Sequence, residues 1–83
     1  MEILANILEL AQTGGTLKTH IMYKANLSYR QLDKYITFLT ENEMLRTVTD
    51  PLNGKLRYEV TGKGVEFLKD YLRLSNYFVG RSL

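Results

Sequence analysis

Three residues, Ala25-Asn26-Leu27, are all that separate two amphipathic helical stretches. That is the spacing of a helix-turn-helix. Before the turn, Thr16 can cap a short helix. Leu17, Ile21 and Ala25 recur along it as a buried stripe, with Lys18 and Lys24 to the sides. After the turn, Ser28 opens a longer helix, and Gln31 completes a capping-box pattern with it. Leu32, Tyr35, Ile36 and Leu39 form a narrow apolar stripe on that helix. Arg30, Lys34, Thr37 and Glu41 fall on the opposite face, Gln31 and Phe38 lie on one flank, and Glu41-Asn42-Glu43 ends the helix.

The rest of the chain completes the order. Residues 2–12 place Ile3, Leu4, Ile7, Leu8, Leu10 and Ala11 on one broad helical face, and Thr13-Gly14-Gly15 stops that helix. Met44 to Thr49 and Lys55 to Thr61 read as strands. In the second, Leu56, Tyr58 and Val60 alternate with Arg57 and Glu59. Asp50-Pro51 and Asn53-Gly54 between them are turn chemistry, so the two strands form a hairpin. Thr61 can cap a last helix from Gly62 to about Phe78. That helix carries two apolar stripes, one of Val65, Leu68, Leu72 and Val79, the other of Phe67, Tyr71, Leu74 and Phe78. The expected fold is α+β, mainly α: helix, helix, helix, hairpin, helix. This is a winged helix-turn-helix with the hairpin as wing, forming a single domain over residues 1–83 with 62–79 as a C-terminal dimerisation helix.

Two segments also resemble a known family. Leu17-Lys18-Thr19-His20-Ile21-Met22-Tyr23-Lys24-Ala25-Asn26-Leu27-Ser28 resembles the helix-turn-helix of small archaeal winged-helix DNA-binding proteins. So does Tyr58-Glu59-Val60-Thr61-Gly62-Lys63-Gly64, followed by Phe67-Leu68. Many winged-helix regulators close the last wing strand and open the next helix with a similar Tyr-x-Leu-Thr-x-x-Gly segment. The resemblance runs from about residue 3 to 78. It implies a transcriptional regulator or a small chromatin protein, generally a homodimer joined through the C-terminal helix. The last helix is short beside the coiled-coil arms of the chromatin type.

Charge agrees with a polyanionic partner. The net charge is +2, but between Leu17 and Lys34 four cations stand against Asp33 alone, so that stretch carries +3 and the remainder −1. In a winged helix-turn-helix the helix after the turn enters the major groove of duplex DNA and reads bases from its N-terminal half. The residues expected there are Tyr29, Arg30, Gln31 and Lys34. Arg30 suits a guanine edge and Gln31 an adenine edge, while Lys34 suits a base or a phosphate. Ser28 and the free N–H groups at the helix start suit a phosphate. Lys18 and Lys24 would meet the backbone, and Lys55 and Arg57 on the wing the flanking minor groove or its phosphates.

The last helix has more apolar surface than one small core needs. With one stripe closing the core, Phe67, Tyr71, Leu74 and Phe78 are left for a dimer interface. A two-fold dimer favours a palindromic site.

Other functions are excluded or stand as alternatives. There are no cysteines, which removes disulfides, zinc-thiolate sites and thiol catalysis. His20 is the only histidine and has no companion ligand, so no metal site is expected. Gly14-Gly15 and Gly62-Lys63-Gly64 lack the spacing of nucleotide loops, and Ser28 lacks base and acid partners. An enzyme is not expected, nor a cofactor or small-molecule effector. No apolar run approaches the ~18 residues of a membrane span, and Met1-Glu2-Ile3-Leu4 lacks the basic start of a signal peptide. The expected location is cytoplasmic, on the nucleoid. The alternatives are a sequence-tolerant chromatin protein, which a net charge of +2 argues against, and a protein-interaction module, for which Phe38 speaks.

Overall fold

The computed structural model describes residues 2–12 and 14–77. The elements follow the expected order: α1 (Glu2–Leu10), α2 (Lys18–Ala25), α3 (Tyr29–Glu41), β1 (Leu45–Thr49), β2 (Leu56–Val60) and α4 (Gly62–Ser75). The core lies where α1, α2, α3, α4 and the root of the hairpin meet. Its fully buried large side chains are Ile7, Leu8, Ile21, Leu32 and Leu39. Burying each contributes about 1.5–3 kcal/mol. Ala11, just past α1, is also buried, and its carbonyl accepts a hydrogen bond from Val60 N–H at 3.4 Å.

Both turns flanking α3 are built the same way. After α2, Asn26 takes the left-handed conformation (φ 56°), and the N–H groups of Asn26 and Leu27 reach back to Tyr23 and Met22 carbonyls at 3.3 and 3.0 Å. After α3, Glu43 does the same (φ 61°), and Glu43 and Met44 N–H reach Thr40 and Leu39 carbonyls at 3.0 and 2.8 Å. These are Schellman closures. Asparagine suits that conformation, whereas glutamate carries the steric cost of its Cβ.

The hairpin is antiparallel, in the register Leu45↔Val60, Thr47↔Tyr58 and Thr49↔Leu56. Leu45 and Tyr58 on that face are buried at its root. Asp50 organises the turn. Its N–H donates to Lys55 O and its carbonyl accepts from Gly54 N–H, both at 2.8 Å. Its carboxylate accepts from Leu52 N–H at 2.8 Å and from Arg57 Nε at 3.1 Å. Gly54 supplies the positive φ of 72° that the turn requires.

One expectation is corrected. Thr16 does not cap α2; Leu17 stands at that position, without a side-chain cap. Thr16 is buried and pairs with Tyr58 instead, N–H to carbonyl at 3.0 Å and carbonyl to N–H at 2.8 Å. The edge of β2 offers two backbone bonds, against the single one that a threonine hydroxyl gives a helix start. Thr61, expected as the α4 cap, does act as one: its Oγ1 accepts from Gly64 N–H at 3.1 Å and donates to Glu43 O at 2.6 Å.

The inward arc of α4 also differs from expectation. It is centred between the two stripes, on Gly64 and Leu68. Phe67 and Tyr71 therefore pack against the core, and Leu72 joins Leu74 outside. Close packing against the hairpin requires the residue without a side chain to face inward. Phe78 and Val79 lie outside the described residues.

Candidate nucleic-acid interface

The site is built on α3. Leu32, Ile36 and Leu39 bury one side of this helix completely or nearly so, which turns the other side to solvent. Its start is held by the expected capping box: Ser28 N–H donates to Gln31 Oε1 at 3.0 Å, and Gln31 N–H to Ser28 Oγ at 3.2 Å. Such a cap contributes about 0.5–2 kcal/mol. It also commits the Gln31 amide oxygen, leaving the NH2 group as the part free to reach outward. The bidentate adenine contact expected of Gln31 needs both ends of the amide, so the cap opposes it.

Tyr29, Arg30, Gln31, Asp33, Lys34 and Thr37 are all exposed. Of the described arginines, Arg30 alone lacks an acidic partner. Arg46 pairs with Glu59 and Arg57 with Asp50, both at 3.1 Å, and Arg73 pairs with Asp70 at 3.6 Å. Lys34 too makes no ion pair or side-chain hydrogen bond among the described residues, and the same holds for Lys24 on α2 and Lys55 on the hairpin. Phe38, further along α3, is 49% exposed.

Beyond the capping pair Ser28 and Gln31, three more of the expected contact residues, Lys18, Tyr29 and Arg57, are already engaged. Lys18 Nζ lies 2.7 Å from Asp33 Oδ1, 3.5 Å from the Tyr29 hydroxyl and 4.6 Å from the centre of the Tyr29 ring. The Asp33 hydrogen bond, seconded by Tyr29, raises the Lys18 ammonium above its ordinary pKa, so the cation is retained. Arg57 braces the turn through Asp50. That carboxylate is held below its ordinary range, first by Leu52 N–H and then by the Arg57 guanidinium. Arg57 is thus an internal brace of the hairpin as well as a cation near its tip. Sequence reasoning noted Asp33 but gave it no role, and it passed over Arg46. Asp33 stood out as the lone acid in a basic stretch, but its partner did not, whereas Arg46 carries no signal beyond its place in a strand.

His20 is exposed and lines an open cleft of about 270 Å³ with Gly15, Thr16, Leu17 and Arg57. Among the described residues no three His, Cys, Asp or Glu side chains stand together as a metal site, and no described helix is long and apolar enough to cross a membrane. Along α4, Leu72 (47%) and Leu74 (58%) are exposed on opposite flanks of the helix, with Tyr77 (74%) just beyond its end.

A family model described as a winged helix-turn-helix matches residues 1–78. An uncharacterized protein of the archaeon Methanocaldococcus jannaschii is 36% identical over 63 residues, 76% of this chain and 59% of that protein, so the chain spans about three fifths of that relative's length. Among solved structures, the S. aureus MepR–DNA complex is similar with a TM-score of 0.81 at 10% identity, over 96% of this chain and 68% of that one. ZitR of Lactococcus lactis, a zinc-responsive MarR family member, gives 0.75 at 17% identity, over 93% and 58%. The PcaV transcriptional regulator of Streptomyces coelicolor, solved with its natural ligand, gives 0.73 at 16% identity, over 99% and 62%. At these identities the likeness is one of fold.

Proposed function

Because the chain belongs to the winged helix-turn-helix family, we propose that it is a transcriptional regulator that binds duplex DNA rather than an enzyme. In this reading α3 enters the major groove and the β1–β2 hairpin lies along the flanking backbone. The observation that carries the reading is Arg30: among the described arginines it alone lacks an acidic partner, and it sits on the outward first turn of a helix whose other side is buried. A free guanidinium there has the geometry for a guanine edge, a contact worth about 1–3 kcal/mol of discrimination. Lys34, Lys24 and Lys55 are exposed cations available to phosphates, and Ser28 and the α3 N-terminus add donors. The DNA in the MepR structure supports the reading.

The chain acts as a two-fold dimer through α4 in this proposal. Leu74 and Tyr77, with the outer edges of Phe67 and Tyr71, form the seam, and Leu72 lies on the opposite flank of the helix. Two α3 helices then meet half-sites about 34 Å apart. Selection from random duplexes, with affinity followed across a salt titration, tests this. A palindromic winner whose affinity falls on Arg30→Ala and Lys34→Ala, with the fold intact, is expected. A steep salt slope without a preferred sequence replaces the regulator by a chromatin protein. No binding at low salt leaves a protein-interaction module, which the exposed Phe38 on α3 would serve.

A further inference from the structure

We propose that Asp33 is a specificity-setting residue: it withholds Lys18 from the DNA backbone and keeps that cation on Tyr29. The proposal rests on the DNA-binding reading above.

Sequence-independent affinity for DNA comes from the phosphates that a surface neutralises, and each adds about −0.9 to the slope of log affinity against log salt. Between them α2 and α3 carry Lys18, Lys24, Arg30 and Lys34. Lys18 differs from the other three because its ammonium meets Asp33 Oδ1 at 2.7 Å, across the helix-turn-helix. A carboxylate on the outward side of α3 repels phosphate when alone; joined to Lys18, it makes a neutral pair. The same ammonium lies 4.6 Å from the Tyr29 ring centre and 3.5 Å from its hydroxyl. Tyr29 is the first residue of α3 and exposed, so the cation fixes the direction of a side chain placed to meet a base. The pair thus lowers indiscriminate affinity and orients a reading residue with one contact. A pair that only stapled α2 to α3 would affect folding and leave the salt slope unchanged.

The test uses the full chain and its Asp33→Asn, Lys18→Met and doubly substituted forms. Each is titrated against the selected duplex and a random-sequence duplex, after melting curves show that the fold is kept. Asp33→Asn is expected to steepen the random-duplex slope by about 0.9, which adds about 3.5-fold to the affinity lost between about 50 and 200 mM salt. It should also narrow the preference for the selected site. Lys18→Met leaves Asp33 unpaired, so it should weaken binding to both duplexes without flattening the random-duplex slope by a full contact, and the double form, with neither charge, should keep the slope of the parent. The proposal is overturned if Lys18→Met flattens the slope by about 0.9, because Lys18 then already meets a phosphate. It is also overturned if Asp33→Asn changes nothing, or if the double form keeps the steeper slope, which would assign the effect to the lost carboxylate alone. Failure of the parent chain to bind any duplex overturns the DNA reading and this inference together, and so differs from failure of the inference alone.

Discussion

Alanine at Gly64 and alanine at Gly62 should change stability in opposite directions. A Cβ on Gly64 would lie 2.6 Å from Val60 Cγ2 and closer still to the Met44 carbonyl oxygen. Carbon atoms at rest stand about 3.5–4.0 Å apart. Neither neighbour can give way easily. Val60 is β-branched and stiff at χ1, and the Met44 carbonyl is held as acceptor for Thr61 N–H at 3.0 Å. Overpacking of this kind costs about 1–3 kcal/mol, and two fixed neighbours place it near 3. Alanine recovers about 1 kcal/mol of helix propensity, which leaves a net loss of about 2 kcal/mol. For a domain of this size each kcal/mol moves Tm by about 4–8 °C, so Gly64→Ala should melt about 8–16 °C lower. Gly62 has nothing within 4 Å of its Cβ position, and alanine there should add about 0.4–1 kcal/mol through the unfolded chain. Thermal melts by circular dichroism, at one fixed protein concentration, compare the two forms with the parent. A Gly64→Ala form that melts at or above Gly62→Ala would refute the close approach of α4 to Met44.

Three further outcomes are expected. Glu43→Gly removes the left-handed strain of about 1–2 kcal/mol, less the added freedom of the unfolded glycine, so it should stabilise by about 0.5–1 kcal/mol and raise Tm by a few degrees. Asp50 has its folded pKa lowered from 3.8 by Leu52 N–H and Arg57. Its stabilisation is therefore present above the unfolded value and lost as pH falls through the folded one. Acid melting curves should show Asp50→Asn less stable than the parent at neutral pH and converging with it in strong acid. Leu74→Glu puts a charge on an exposed position of α4; sedimentation at micromolar concentration should show monomers with an unchanged melting profile of the monomer fold.

What the sequence disclosed was mostly local. The α3 capping box joins residues three apart, and the hairpin alternation lies within one strand, so both were legible. The pairing of Thr16 with Tyr58 involves one residue on one side and leaves no periodicity to read. Lys18 and Asp33 lie on different helices, and only the angle between α2 and α3 brings them together. The two stripes of α4 were visible, but their division between inside and outside was decided by Gly64, whose missing side chain sets the inward direction. The candidate interface was therefore legible as a list of outward residues on α3. Which of those residues are already bonded inside the protein depended on tertiary packing.

The Thr61 hydroxyl joins Glu43, just past the end of α3, to Gly64 at the start of α4 through one oxygen atom. In the proposed dimer this short weld is the root from which each reading helix projects. An arm tied at its root would have little hinge, so in that proposal the distance between the two reading helices would behave as a fixed ruler. Such a ruler would measure DNA as well as read it. Inserting a base pair between half-sites would rotate one out of reach even though every contacted base was still present.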